Sequence, residues 1–318
     1  MQSKLKSQLL ERARAIGADD VRVTAATLPT EHTDRLRQWL DAGRHGEMDY
    51  MARSGEKRAS AETVLPGAKS VIIFAFGYGQ QKAMPVYSVD EVGSAKVRVA
   101  KYALGEDYHL VLRQRLEPVV EWLSTELPGN QWRVCVDSAP LLERAFAVEA
   151  GIGFWGKNTM VLSPRAGSFF FLAEIVTTAE IAPDPPITGT CGNCTRCIDA
   201  CPTAAIVAPY ELDARKCISY LTIEKKSELT AEESSQLHGW AFGCDICQDV
   251  CPYNKFTNPT PVAEFEEGRI VHASESVETF GEPASNSAFE RRFAKSPILR
   301  PGRRRVQRNA RLAARKRG

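Results

Sequence analysis

Leu5, Leu9, Ala13 and Ile16 recur at roughly helical spacing before Gly17, a pattern that predicts an amphipathic surface helix at the start of the chain. Further along, the apolar runs SVIIFAF (70–76), WRVCV (132–136) and SFFFLAEIVTT (168–178) have the length and residue types of strands, and helical stretches separate them. A helix is predicted after Gly105 through DYHLVLRQRLEPVVEWLSTEL, with Leu112, Leu116, Val119 and Leu123 as its buried face and Pro118 bending or splitting it. SAPLLERAFAVEA reads as another helix, with Pro140 at its start and Gly151 as its stop signal. Residues 1–180 therefore predict one α/β or α+β domain. IAPDPPITGT (181–190) breaks all periodicity like a linker and opens a cysteine-rich module over 181–258. NPTPVAEF signals a second connection, and residues 259–318 form a basic C-terminal segment.

Composition narrows the class only a little. With 318 residues, 43% hydrophobic and 25% charged, the chain is ordinary globular material, long enough for two domains. The longest apolar run, Val71 to Phe76, is strand-length and too short to span a bilayer, and the opening residues lack a signal-peptide core. A soluble, cytoplasmic, monomeric protein is expected, with no membrane partner. Charge adds more. Residues 291–318 carry twelve Lys or Arg and no Asp or Glu, which leaves 29 basic against 39 acidic residues in the body. An acidic body with a basic end implies a polyanionic partner or a solvated tail.

The cysteines carry the chemistry. Seven of the nine fall in CGNCTRCIDACP (191–202) and CDICQDVCPYN (244–254), and Cys217 lies between the runs. A four-iron cluster needs four thiolates at the corners of a cube. CxxCxxC lets one loop supply three, and in two-cluster ferredoxins the cysteine before proline serves the other cluster. That rule assigns Cys191, Cys194, Cys197 and Cys251 to one [4Fe–4S] cluster and Cys217, Cys244, Cys247 and Cys201 to a second. A pair of zinc sites would leave the third cysteine of each run and the two Cys-Pro ends without a purpose. Cys135, inside an apolar strand, reads as a core thiol.

One-electron clusters beside a large domain call for an acceptor. GIGFWG (151–156) has the letters of a dinucleotide fingerprint, but it leaves a helix and enters a strand, the reverse of the order that brings a pyrophosphate to a helix N-terminus. Asp137 stands at the end of a strand, a common place for a residue facing a site. It reads equally well as the N-cap of the next helix, with Ser138 a rival for that role.

DSAPLLERAFAVEAGIGFWGKNT, the CGNCTRCIDACPTAAI run, CISYLTIE and WAFGCDICQDVCPYN, together with KYALGEDYH and LPGAKSVI, resemble the cobalamin-dependent epoxyqueuosine reductase family of tRNA modification over residues 1–255. The resemblance implies a nitroreductase-like cobalamin-binding domain followed by a two-cluster ferredoxin-like domain. The implied substrate is tRNA carrying epoxyqueuosine at the anticodon wobble position, and the implied electron source is an external flavodoxin- or ferredoxin-type reductant. Asp137 matches the family's proton donor, a role that requires burial to raise its carboxyl pKa. Arg58 matches a family cobalamin contact; Lys157, Asn158, Ser219 and Asp245 are expected to face the same cofactor.

With tRNA as substrate, the basic end becomes a contact surface. Helical spacing puts Arg304, Arg308, Arg311 and Arg315 on one face, and Lys225 and Lys226 are expected to reach the anticodon stem. Some family members extend into helical repeats that help bind tRNA, and this sequence stops before them. Removal of residues 300–318 is expected to raise KM for tRNA more than it lowers turnover. The rival readings are a reductive dehalogenase-like cobalamin enzyme acting on a small organic halide and a ferredoxin-type electron carrier.

Overall fold

The structure is a computed structural model and describes residues 2–79, 96–255 and 259–315. Its centre is a four-stranded antiparallel sheet in the order Asp20–Ala25, Ser70–Gly77, Phe170–Thr177, Trp132–Cys135. Strand Ser70–Gly77 is buried at all eight positions, as a continuous apolar run must be when both faces of a sheet are covered. Phe74, Phe76, Phe171 and Ile175 pack on one face with Leu9 and Ala13 of the first helix, Gln2–Ala15. Val71, Ile73, Ala75 and Val176 pack on the other with Phe146 of the short helix Glu143–Glu149.

Pro118 does not split the long helix, which runs unbroken over Tyr108–Glu126. Proline removes one donor and frees the carbonyl of Gln114, but Gln114 is exposed, where water can take that bond. The buried stripe Leu112, Leu116, Val119 and Leu123 seats both halves on the sheet. Asp107 caps the helix, accepting the N–H of His109 at 3.0 Å, and so fixes where Tyr108 and His109 emerge.

The next helix starts later than the sequence suggests. It begins at Glu143 with Leu142 at the N-cap, so neither Asp137 nor Ser138 caps it, and Pro140 lies in the loop before it. That loop is what frees Asp137 for other work.

A second, three-stranded sheet joins distant parts of the chain. Lys96–Val99 lies between Trp240–Phe242, from the cysteine module, and Ser274–Ser276, from the C-terminal segment. Around it Val97, Leu104, Leu221, Phe242, Phe280, Phe293 and Val306 form one core. The basic end is therefore no loose tail. Helix Arg303–Ala313 buries Val306, Gln307, Asn309, Ala310 and Ala313, and the Asn309 amide donates to the Thr222 carbonyl at 2.7 Å. The Thr222 hydroxyl accepts from Gly243 N–H at 3.0 Å and donates to the Ile218 carbonyl at 2.8 Å, tying the loops of Cys217 and Cys244 together.

Deletion from Arg303 onward is accordingly expected to lower the melting temperature and cluster content, and not RNA affinity alone, because it strips one wall from a shared core and orphans the Thr222 carbonyl. Calorimetry and iron analysis check this; a truncated protein with unchanged iron and melting temperature contradicts it.

Candidate functional site

The two cysteine runs each make a tight loop followed by one short helical turn, Arg196–Asp199 and Ile246–Asp249, before their Cys-Pro ends. The Cys197 thiol has those of Cys191, Cys251 and Cys194 as its electrostatic neighbours, and these four line a cavity of about 130 Å³ with Lys157 and Tyr253. The Cys247 thiol has those of Cys217, Cys197 and Cys201 as its electrostatic neighbours, and the Cys244 thiol has those of Cys217 and Cys247. Two groups of four thus gather, each drawing one cysteine from the opposite run. Backbone N–H groups of Lys157 and Ala205 point at the sulfurs of Cys191 and Cys201, 3.5 Å and 3.3 Å away, the donors that a sulfur carrying negative charge needs.

Asp137 occupies a distinctive backbone position. Its φ of 53° is in the left-handed region, where Asp is tolerated better than most residues, and the Ser138 N–H turns back to the Val136 carbonyl at 2.5 Å. This tight turn aims the carboxylate at the start of the long helix. Tyr108 donates its hydroxyl to Oδ2 at 2.7 Å, and His109 Nε2 lies 3.3 Å from the same oxygen. The other ring nitrogen of His109 sits 2.7 Å from Asp107 Oδ1. Tyr108 itself is held flat on Phe171, with ring centroids 4.3 Å apart and planes 9° from parallel.

These contacts reverse the pKa expected for Asp137. Burial disfavours its charged form, but the hydrogen bonds of His109 and Tyr108 and the charge of His109 outweigh it and bring the carboxyl to about 2. Burial also opposes charge on His109, yet the bonds and charges of Asp107 and Asp137 raise the imidazole to about 9. At neutral pH the proton therefore sits on His109, flanked by two carboxylates. The Asp137 side chain is 48% exposed, so one side of it remains open to whatever fills the space in front of it.

Beneath this turn lies a second acidic pair. Glu174 is fully buried in the middle of strand Phe170–Thr177, opposite Ile73 and Cys135, and neither carboxylate oxygen has a donor among the described residues. Glu143 faces it. Burial first, then the Asp137 charge, raises the Glu143 carboxyl to about 8, while burial and Glu143 push Glu174 up as well. Two buried carboxyls so placed resist ionising together, so the pair keeps a proton at neutral pH. The folded state holds that proton where the unfolded chain has lost it, so its contribution is present at low pH and vanishes as pH rises through about 8. The melting temperature is expected to fall by several degrees between about pH 6 and about pH 9, and Glu174→Gln to remove at least half of that fall. Parallel pH profiles for the two proteins in calorimetry would contradict it.

The comparisons with known proteins agree with this layout. A family model described as "Epoxyqueuosine reductase QueG, DUF1730" matches residues 58–138, and one described as "4Fe-4S double cluster binding domain" matches residues 190–254. An epoxyqueuosine reductase of Pseudomonas aeruginosa is 41% identical over 310 residues, covering 96% of this chain and 84% of that protein. The chain belongs to the epoxyqueuosine reductase family. The Escherichia coli epoxyqueuosine reductase is 37% identical over 98% of this chain and 81% of its own. A crystal structure of an epoxyqueuosine reductase with an epoxyqueuosine-modified tyrosine tRNA stem loop matches with a TM-score of 0.86 at 34% identity, covering 98% of this chain and 81% of that one. The family is one of oxidoreductases, with the double-cluster domain in place.

Within this family framework the other residues singled out from the sequence fall into three places. Arg58 is buried in the 3₁₀ turn Gly55–Ala59; its Nη2 donates to the Tyr50 carbonyl at 2.9 Å, and its Nε has no partner among the described residues. That orphaned donor suits a ligand rimmed with carboxamides. Lys157 instead reaches the first cysteine loop, with Nζ donating to the carbonyls of Gly192 at 2.7 Å and Cys194 at 3.0 Å. Asn158 is buried and donates to the Cys247 carbonyl at 3.4 Å. Ser219 precedes the π-helical turn Tyr220–Glu224, and buried Asp245 accepts the Lys101 N–H at 2.7 Å, beside Cys244.

Of the basic residues, Lys226, Arg304, Arg311 and Arg315 are exposed. Lys225 is paired with Glu233 at 2.9 Å, and Arg308 is mostly buried and donates to the Ser227 carbonyl at 2.9 Å. Lys316 and Arg317 lie outside the described residues. Sequence reasoning missed His109, Tyr108, Glu143 and Glu174. A lone Glu inside SFFFLAEIVTT and the DYH of KYALGEDYH were the available signals, since a charge in a buried strand is costly unless it is used.

Proposed function

We propose that this chain reduces epoxyqueuosine in tRNA to queuosine, consuming two electrons and two protons and releasing the epoxide oxygen as water. The observation that carries this reading is a packing path from the residue beside a cluster ligand to the proton site. Tyr102 packs beside Gly243, which precedes Cys244 in the chain, its ring lies 6.2 Å from that of Tyr108, and Tyr108 bonds to Asp137. Electrons arriving at the Cys217–Cys244–Cys247–Cys201 group and protons arriving at Asp137 converge on one space.

Cobalamin held in that space supplies a low-potential cobalt centre that can open a strained carbon–oxygen bond by two-electron reduction. Arg58, with its unused Nε, and Ser219 would hold it. Lys157, Asn158 and Asp245 act one layer back, ordering the cysteine loops. The cluster of Cys191, Cys194, Cys197 and Cys251 would fill the cavity that these four thiols line, and it receives electrons from an external flavodoxin- or ferredoxin-type donor.

Asp137 serves as the conduit and His109 as the store of the proton that neutralises the opened epoxide oxygen. Substrate oxygen at the open side of Asp137 takes a proton relayed from the His109 imidazolium, and Asp107 stabilises the ring throughout. We further infer that the protein works as a cytoplasmic monomer, in a compartment reducing enough to keep eight thiolates on iron. Among the described residues no helix is long and apolar enough to cross a membrane.

Anaerobic reconstitution with iron, sulfide and cobalamin, followed by assay on an epoxyqueuosine-bearing stem loop, tests the whole reading; protein that loads both clusters yet rejects the corrinoid defeats it. Replacement of Arg304 and Arg311 by Gln is expected to weaken RNA binding on the order of tenfold at low salt and make its salt dependence shallower by about one unit per residue. Salt-series binding curves that superimpose on wild type would remove this helix from the RNA surface.

A further inference from the structure

The C-terminal segment reaches the proton site from a direction the sequence does not reveal. The Asp107 N–H donates to the Lys295 carbonyl at 2.6 Å, which fastens this segment to the residue preceding Tyr108 and His109. Ser296 then caps the 3₁₀ turn Pro297–Leu299, accepting the Ile298 N–H at 3.2 Å, and Pro297 and Ile298 are buried. The turn is thus anchored at its start and seated by its buried Pro297 and Ile298, and Arg300 follows it directly.

Arg300 pairs with Glu224, at the end of the π-helical turn, through Nε and Oε1 2.9 Å apart. The side chains are 46% and 22% exposed, and among the described residues this is the hydrogen bond the Arg300 side chain makes, which leaves both Nη groups without a protein partner. The charge of Asp137 and the phenol of Tyr50 both act on the Arg300 guanidinium, so it stands at the rim of the same space as the proton site. Lys226, Arg304 and Arg311 are also exposed, and the helix Arg303–Ala313 reaches the 225–227 segment through Arg305 and Arg308.

A half-exposed Arg–Glu pair held through one nitrogen is weak, whereas a guanidinium offers a phosphate two parallel N–H donors. We propose that Arg300 is a phosphate clamp held in reserve by Glu224: on substrate binding it leaves Glu224 and grips the RNA backbone beside the nucleotide that enters the Asp137 site. The inference rests on the tRNA reading and adds a residue and a partner exchange to it. Glu224 keeps the arginine extended and ready, and repels phosphate from that spot until the exchange occurs.

The two partners give opposite signs in one experiment. Binding of an anticodon stem loop to the full chain is measured across a salt series, with corrinoid loading followed by absorption. Arg300→Gln is expected to weaken binding on the order of tenfold, make the salt slope shallower by about one unit, and raise KM more than it lowers kcat. Arg300→Lys, which keeps the charge but loses the fork, is expected to recover part of the loss. Glu224→Gln is expected to tighten binding about two- to fivefold, because the competing carboxylate is gone.

Equal weakening by both variants makes the pair a structural brace and overturns the clamp. So does Arg300→Gln with unchanged RNA affinity, or with lost corrinoid loading as its only effect. A wild-type protein that binds no stem loop overturns the tRNA reading itself, an outcome distinct from wild type and Arg300→Gln binding equally well.

Discussion

Asp137→Asn is expected to lower turnover by roughly 10²–10⁴-fold, the range associated with loss of a positioned general acid, while KM changes little. The substitution keeps the shape of the turn, and the amide oxygen can still accept from the Tyr108 hydroxyl. What it removes is the capacity to take a proton from His109 and pass it on. The imidazole also loses one of the two carboxylates that hold it near 9 and should titrate lower, a change visible by NMR. Iron content and the corrinoid spectrum serve as controls, and a variant with both intact and full turnover would take Asp137 out of the proton path.

The pH dependence gives an independent test of the same arrangement. His109 is raised from an ordinary 6.5 to about 9, so its ion pairs with Asp107 and Asp137 are fully present at low neutral pH and are lost as pH rises through about 9. Turnover of the wild-type protein should decline over that limb. His109→Gln should lower the plateau and erase the limb, whereas a histidine that merely braced the turn would leave the profile's shape untouched.

Cys217→Ser is expected to abolish turnover and halve bound iron, from about eight atoms per chain to about four, by the rule of four thiolates per cluster. Cys217 is the member of its group outside both cysteine runs, and it sits where Thr222 and Gly243 tie its loop to that of Cys244. On the proposed reading, electrons then no longer reach the Asp137 space. Cys135→Ser is the matched control: Cys135 is buried in its strand opposite Glu174, away from both cysteine groups, and its loss should leave iron unchanged. Full iron in Cys217→Ser, or lost iron in Cys135→Ser, would show that the thiols are grouped differently.

Much of the site could be read from spacing, because a cluster that needs four thiolates at fixed geometry writes itself into short-range sequence. The crosswise grouping of eight cysteines, the reversed order around GIGFWG and the strand run 70–76 are all local patterns of that kind. The basic end was legible as charge and misleading as structure. Its helical spacing is real, but Asn309, Gln307 and Val306 point into a shared core, and a run of arginines hides how few of them are free.

The proton site shows the limit from the other side. The residue type and strand-end position of Asp137 drew attention to it, but its acidity was inferred from burial alone. The answer depends on His109 and Tyr108, 29 positions earlier in the case of Tyr108, being brought against it by the helix Tyr108–Glu126 packed on the central sheet. Arg300 is more distant still, and it reaches the same space through a hydrogen bond between Asp107 and Lys295. The amino-acid order determined which elements form, which thiols are spaced for clusters and where charge accumulates, since these follow from interactions between near neighbours or from counting. Tertiary packing alone decided which ionisable groups face one another and in what protonation state, because electrostatic energy depends on separation in space and on the solvent excluded there.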